Sequence, residues 1–162
     1  MLFRSGKSIN NAKMGNADLI LVHSKKQEEA FIEAGFARVV DGFEAERVSF
    51  IYNYYVLCGP SADPAGAASA ASVKDAFAAI AEGKYAFISR GDNSGTHTKE
   101  IALWPADLGI AAEAETFADY TAWYVSANTG MGACLVMAEE MEAYILTDKA
   151  TFLTFVANDG VM

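Results

Sequence analysis

The sequence predicts an α/β fold assembled from parallel βαβ units, and two observations carry that expectation. Short apolar runs of strand composition alternate with helix-periodic stretches, and strands separated by helices pair in parallel because the chain must cross over to rejoin the sheet. At two strand-to-helix junctions the turn is polar and glycine-rich: Ser89-Arg90-Gly91-Asp92-Asn93-Ser94-Gly95-Thr96-His97 and Ser126-Ala127-Asn128-Thr129-Gly130-Met131-Gly132. In folds of this class ligands gather beyond the carboxyl ends of the strands, where such turns lie.

In chain order, residues 19–22 (Leu-Ile-Leu-Val), bounded by Asp18 and His23, have the continuous apolar pattern of a buried parallel strand. A helix over 25–34 follows, with Ser24 as N-cap, Glu28 and Glu29 early, Phe31 and Ile32 facing inward, and Gly35 just past its end. Residues 48–57 are rich in β-branched and aromatic side chains and read as a long strand that Gly59-Pro60 terminates. The alanine-rich stretch 69–82 is helical, with Val73, Phe77 and Ile80 on one face and Gly83 closing it. Residues 85–88 form a buried strand, 98–103 a helix that Pro105 stops, and 111–118 a second helical piece. An aromatic strand over 120–125, a helix over 133–140, a strand over 143–146, a capping turn at Thr147-Asp148 and a helix over 151–156 complete the chain.

The 162 residues suit one domain, or one lobe plus part of another, and 52% hydrophobic content is enough for a core. A net charge of −9 argues against nucleic acid and anionic membrane as partners. It does not argue against a small buried anion, which responds to donors a few ångströms away, whereas distant surface charge is screened over about 8 Å. Cys58 and Cys134 stand outside any Cys-x-x-Cys or histidine cluster, so no metal site is expected; they read as small buried hydrophobes, with pairing between them left open. No run reaches the roughly 18 apolar residues of a membrane span. The apolar run near the N-terminus is too short for a secretory signal. That leaves a cytoplasmic chain, a mature fragment, or a gene that lost its export signal.

The Arg90 turn has the parts of an oxyanion receptor. Backbone N–H groups at a helix start have no intrahelical partner, and the helix dipole is positive there. Arg90 adds a permanent charge and a planar fork of donors; Ser89, Ser94, Thr96 and His97 add neutral ones. The turn lacks the Gly-Lys-Ser/Thr ending of a P-loop, which disfavours nucleotide binding of that type. The plainer reading of the same residues is a helix-capping turn in which Arg90 pairs with Asp92 or a helix end.

Four segments occur here in an order that resembles one family: Asn16-Ala17-Asp18-Leu19-Ile20-Leu21-Val22-His23, the Arg90 block, Gly130-Met131-Gly132-Ala133, and Ala143-Tyr144-Ile145-Leu146-Thr147-Asp148. The chain is similar over nearly its whole length to tungstate-binding solute-binding proteins of ABC transporters, of the periplasmic-binding-protein type. The resemblance implies an α/β fold of type II, with one nearly complete lobe and a partial second lobe. By it, residues 1–52 are the partial first lobe, 53–146 the second lobe with both polar turns, and 147–162 a return segment to the first. Residues 52–56 and 144–146 would be the crossing hinge strands.

The resemblance further implies a tetrahedral oxyanion, most simply tungstate or molybdate, held without metal ion or organic cofactor. Arg90, Ser94, Gly95, Thr96, Thr129, Gly130 and Met131 would face it, with Ser5 and Ser8 on a second hydroxyl-glycine turn and His23 at the end of a first-lobe strand. An ABC permease would be the partner, and a periplasmic or extracellular setting follows. The family's first strand and hydroxyl-rich ligand loop, its next helix and strand, and its C-terminal segment have no counterpart here.

Other readings stand beside this one. His97, inside the helix start, reads as a hydrogen-bonded structural histidine, whereas His23 is open between structure and ligand. Met131, Met137 and Met141 have core spacing, and Tyr52, Tyr54, Tyr55, Trp123 and Tyr124 suit strand faces rather than base stacking, since no basic residues interleave with them. Ser94, His97 and Asp92 do not make a triad, because a triad needs convergent geometry rather than neighbours on one turn, and no Gly-x-Ser-x-Gly elbow is present. No enzyme is expected. The alternative function is a truncated relic of the fold serving as a dimeric interaction module with weak or no ligand binding. Its homodimer interface would centre on residues 19–22, Phe31 and Phe152, because an incomplete lobe exposes apolar strand faces and unpaired edges.

Overall fold

The computed structural model describes residues 5–22, 24–110, 122–158 and 160. The chain forms two compact units, Met1–Tyr52 and Asn53–Met162.

The first unit contains helices α1 (Ser5–Lys13) and α2 (Lys25–Glu33), packed against each other. Ile9 and Phe31 are its buried apolar residues, and Phe31 stacks on Phe36 with ring centroids 5.6 Å apart. Helix α2 ends as the sequence indicates: Gly35 takes φ +74, its N–H bonds the Ile32 carbonyl at 2.8 Å, and the Phe36 N–H bonds the Phe31 carbonyl at 3.2 Å. Ser24 occupies the N-cap position without a side-chain capping bond. Arg47 Nε pairs with Glu28 Oε2 at 2.8 Å.

Three expectations fail in this region. Residues 19–22 join no ladder among the described residues, and Leu19 and Leu21 are 79% and 69% exposed. Of the long strand expected over 48–57, only the end is a strand; Phe50, Ile51 and Tyr52 are exposed. Both sequences have strand composition, but a strand is stabilised by the chain beside it, and for the second that pairing begins only with the bond from the Lys149 N–H to the Tyr54 carbonyl at 2.8 Å. Ser5-Gly6-Lys7-Ser8, expected as a ligand-binding turn, is instead the opening of α1. The stretch opens a helix that packs against α2, with Ile9 buried.

The second unit is an α/β layer structure around a four-stranded sheet of order β1-β4-β2-β3, with β1 (Tyr55–Cys58), β2 (Phe87–Ser89), β3 (Tyr124–Ser126) and β4 (Tyr144–Asp148). Strand β2 is central and parallel to both β4 and β3, and β1 pairs antiparallel with β4, Tyr55 opposite Asp148. Its helices are α3 (Val73–Glu82), α4 (Gly95–Ile101), α5 (Met131–Glu140) and α6 (Lys149–Ala157). Ser72 caps α3, accepting the Asp75 N–H, and Asp148 caps α6, accepting the Thr151 N–H at 2.9 Å. The helical piece expected over 111–118 and the first two residues of the strand expected over 120–125 lie outside the described residues.

Two apolar clusters clamp the sheet. One gathers Phe77, Phe87, Trp104, Trp123 and Tyr124, with Phe77 and Phe87 each within 5 Å of Trp104, at 4.5 Å and 4.8 Å between centroids. The other packs Ile88, Met131, Cys134, Leu135, Ala138 and Ile145, with Met137 and Phe152 at its edge. Met141, read as core, is 46% exposed just past the end of α5. Both cysteines are free, Cys134 buried and Cys58 half-buried. Burial pushes the Cys58 thiol up to about 11, in keeping with an unreactive side chain. No helix among the described residues is long and apolar enough to cross a membrane.

Candidate functional site

The Arg90 turn leaves the carboxyl end of the central strand, and sequence sets much of its path. Gly91 takes φ +59 and Asn93 φ +55, the left-handed region that glycine and asparagine tolerate best. Asp92 Oδ1 accepts the Ser94 N–H at 3.1 Å, and Ser94 Oγ caps α4 by accepting the His97 N–H at 3.3 Å. The helix therefore opens at Gly95, three residues before the start expected from periodicity, because the Ser94 cap captures the turn.

Tertiary packing brings the second polar turn alongside. The Ala127 N–H bonds the Ser89 carbonyl at 2.9 Å, extending the β2–β3 ladder past both strand ends. A Cβ on Gly91 would run into Ser126 Oγ, so glycine is required there on steric as well as conformational grounds. Beyond Ser126, Asn128 turns with φ +47 and Gly130 opens α5 without a side-chain cap. The first amides of this ten-residue helix thus have no intrahelical acceptor. Cys134, in the first turns of α5, lies within electrostatic range of Arg90, Asp92 and Glu100. Arg90, Ser94, Gly95, Thr96, Thr129, Gly130 and Met131 accordingly share one end of one sheet.

Arg90 Nη2 pairs with Asp92 Oδ2 at 2.5 Å, with the side chains 21% and 7% exposed. The plainer reading of Arg90 is therefore realised, but it uses only part of the guanidinium: Arg90 Nε is buried with no partner among the described residues. Burial disfavours the Asp92 carboxylate, yet hydrogen bonds from Ser94 and the charge of Arg90 outweigh that and hold it below its usual range. His97 is fully buried, and its Nδ1 accepts the Asn93 N–H at 3.0 Å, so Nε2 carries the proton. Burial keeps the ring neutral by lowering its pKa, and Nε2 is a second buried donor with no partner among the described residues. Two orphaned N–H groups in one turn suit an acceptor supplied from outside the chain.

Thr96 is buried in the first turn of α4, and Ser94 is committed to capping and to Asp92. Thr129 offers its carbonyl to Cys134 Sγ at 3.8 Å. Ser5 and Ser8 belong to α1 in the other unit, and His23 lies outside the described residues. No group of three His, Cys, Asp or Glu that could hold a metal ion occurs among the described residues. A surface groove lined by Lys74, Asp75, Leu103, Trp104 and Pro105 shares no residue with the turns.

Sequence reasoning missed Glu100. This carboxyl is 2% exposed and accepts three hydrogen bonds, from Ser89 Oγ at 2.7 Å, Trp104 Nε1 at 3.1 Å and Tyr124 Oη at 2.6 Å. Burial pushes it up to about 7, against the pull of those three donors. The spacing of His97, Glu100 and Leu103, all on the buried face, was the available signal.

This architecture is that of a periplasmic-binding-protein-like fold. The chain belongs to that superfamily: a family described as the PBP superfamily domain matches residues 4–161. Its relatives include proteins described as tungstate-binding. The tungstate-binding protein TupA of Peptoclostridium acidaminophilum is 42% identical over 159 residues, 97% of this chain and 50% of that protein. The solved tungstate-binding protein TupA of Desulfovibrio alaskensis G20 superposes with a TM-score of 0.76 at 33% identity, covering 99% of this chain and 59% of that one. A structure described as the tungstate ABC transporter of Geobacter sulfurreducens gives 0.67 at 38% identity, over 93% and 59%. The chain spans about half the length of the curated tungstate-binding relatives it matches.

Proposed function

We propose that this chain carries the anion-binding lobe of a solute-binding protein for a tetrahedral oxyanion, tungstate or molybdate, serving an ABC uptake system outside the cytoplasm without catalysis. The observation that carries the reading is the meeting of two polar turns at adjacent parallel strand ends, one bearing Arg90, whose Nε has no partner among the described residues, the other opening α5 without a side-chain cap. An oxyanion there would accept from Arg90, from the Gly130–Met131 amides and from Thr96, with Gly95 allowing close approach and Ser94 and Thr129 shaping the turns. Ser5, Ser8 and His23 would contribute only if the first unit folds over the ligand. That relatives of this chain are described as tungstate-binding supports tungstate as the anion. Calorimetric titration with tungstate, molybdate, sulfate and phosphate tests it: binding of the first two is expected, and no heat with any of the four overturns it.

A second reading, the dimeric interaction module, draws support from the apolar side chains that the first unit leaves in water, Leu19, Leu21, Phe50 and Ile51. Light scattering at micromolar concentration separates the two readings. A dimer that shows no anion binding favours the module, and a monomer excludes it.

A further inference from the structure

We propose that Glu100 is a positioning residue for the anion turn: by accepting the Ser89 hydroxyl it turns the Ser89 oxygen toward the Gly91 N–H and so holds the backbone that carries Arg90. The consequence for affinity rests on the anion-binding reading above; the relay itself does not.

With the carboxyl ionised, its three hydrogen bonds all run toward it. Glu100 Oε1 receives Trp104 Nε1–H and the Tyr124 hydroxyl, and Oε2 receives the Ser89 hydroxyl. Ser89 Oγ in turn accepts the Gly91 N–H at 3.2 Å. Ser89 has a single hydrogen, and while Glu100 takes it the lone pairs of Oγ are free for Gly91. Oε1 already takes two donors and Oε2 only one, which favours Oε2 as the place for an added proton. A proton added to the carboxyl therefore sits on Oε2 and points at Ser89. The Ser89–Glu100 bond then reverses: Oγ accepts from Glu100 as well as from Gly91, its hydrogen passes to another acceptor such as the Tyr124 oxygen, and the charge-assisted bond that polarised Oγ toward Gly91 is lost. Gly91 has no slack to absorb this, since it is packed on Ser126 in a left-handed conformation.

The charged and titratable groups around Glu100 are Tyr124 on β3, Cys134 on α5, His97 one turn earlier on α4, and the Arg90–Asp92 pair in the turn. Tyr124 and Cys134 are both raised, by burial first, and stay protonated at neutral pH. His97 is lowered by burial and Asp92 lies below the usual carboxylate range, so neither changes charge around neutrality. Glu100, which burial pushes up to about 7, is the group that does. Glu100→Gln reproduces its protonated form: the amide oxygen must face Trp104 and Tyr124, which places the amide N–H₂ against Ser89.

The test follows the Gly91 amide resonance of the ligand-free protein and, separately, its affinity for molybdate, which is a dianion throughout the range, from about pH 6 to about pH 8.5. In the wild type the Gly91 shift should move with a midpoint near 7, and affinity should fall about 2- to 5-fold on the acid side, the scale of one weakened hydrogen bond. Glu100→Gln should show a flat Gly91 shift and the low affinity at every pH. Ser89→Ala should do the same while leaving the Glu100 carboxyl in place, which a direct charge effect of Glu100 on the anion would not allow. The proposal is overturned by a Gly91 shift that does not titrate in the wild type or titrates equally in Glu100→Gln, or by tighter molybdate binding in that variant. If Glu100→Gln fails to fold by circular dichroism, the wild-type Gly91 profile and Ser89→Ala decide. A Gly91 titration lost in the variants, with no molybdate binding by any form, upholds the relay and refutes the anion-binding reading alone.

Discussion

Removing Arg90 tests the proposed site most directly, and its effect can be worked from the contacts. In Arg90→Ala the anion loses a charge-assisted hydrogen bond, about 1.5–3 kcal/mol. That alone weakens binding about 10- to 150-fold. A second loss comes from Asp92, whose carboxylate is 7% exposed and paired with Arg90 at 2.5 Å. Unpaired, it faces a dianion across the turn. Like charges about 6 Å apart at an effective dielectric constant of about 20 repel by about 3 kcal/mol per charge pair, less where water reaches the turn. The expected order of affinity is therefore wild type, Arg90→Lys, the double variant Arg90→Ala/Asp92→Asn, then Arg90→Ala. Lysine restores charge but not the planar fork, and the double variant removes the repulsion without restoring a donor. Calorimetry with molybdate, with folding checked by circular dichroism, reads the series. Wild-type affinity in Arg90→Ala would refute Arg90 as a ligand residue, and no recovery in the double variant would refute the electrostatic role given to Asp92.

The donors of the turns are an arginine, amides and hydroxyls, so a fully deprotonated dianion should bind more tightly than protonated phosphate at neutral pH; competition calorimetry showing phosphate ahead of molybdate or tungstate would contradict this. Gly91→Ala places a Cβ against Ser126 at a positive φ. It should cost about 2–4 kcal/mol and lower the melting temperature by about 5–15 °C, so an unchanged melting temperature would show the turns packed differently. Glu100 predicts a stability slope of unusual sign. Its folded pKa lies above its unfolded value of 4.5, at about 7, so the folded state holds the extra proton and loses on the order of 3 kcal/mol as pH rises from about 4.5 through 7. Asp63, Asp92 and Asp148 are all lowered and act in the opposite sense, losing their contribution only as pH falls below the ordinary carboxylate range. Urea denaturation at a series of pH values should show the neutral-side decline in the wild type and lose it in Glu100→Gln.

The features of the site that could be read from sequence are those settled within four residues of chain. Gly91 and Asn93 at positive φ, the Ser94 cap, and Gly35 beyond α2 follow from which side chains tolerate left-handed backbone or reach a nearby N–H. The polar turns at the ends of β2 and β3 were legible for the same reason, since strand, turn and helix succeed one another locally. Residues 19–22 and 48–53 misled because apolar, β-branched composition is only a capacity to pair: among the described residues, 19–22 join no ladder, and pairing of the second stretch begins only at Tyr54, whose carbonyl takes the Lys149 N–H. Ser5 and Ser8 misled in the opposite way, as a Ser-Gly-Lys-Ser stretch suits a turn and a helix start equally until something binds it.

By itself, then, the sequence determined the alternation of strands and helices, the capped and glycine-bearing turns, and the family, because these depend on short-range sterics and on residues adjacent in the chain. Tertiary structure alone decided which turns meet and what state their groups hold. The bond from Ala127 to Ser89 joins residues 38 apart, the packing of Ser126 on Gly91 depends on the β2–β3 register, and the buried Glu100 carboxylate takes donors from β2, β3 and the segment after α4. A glutamate in a sequence carries the expectation of water; only the fold replaces that water with Ser89, Trp104 and Tyr124, and burial then moves its charge toward neutral pH.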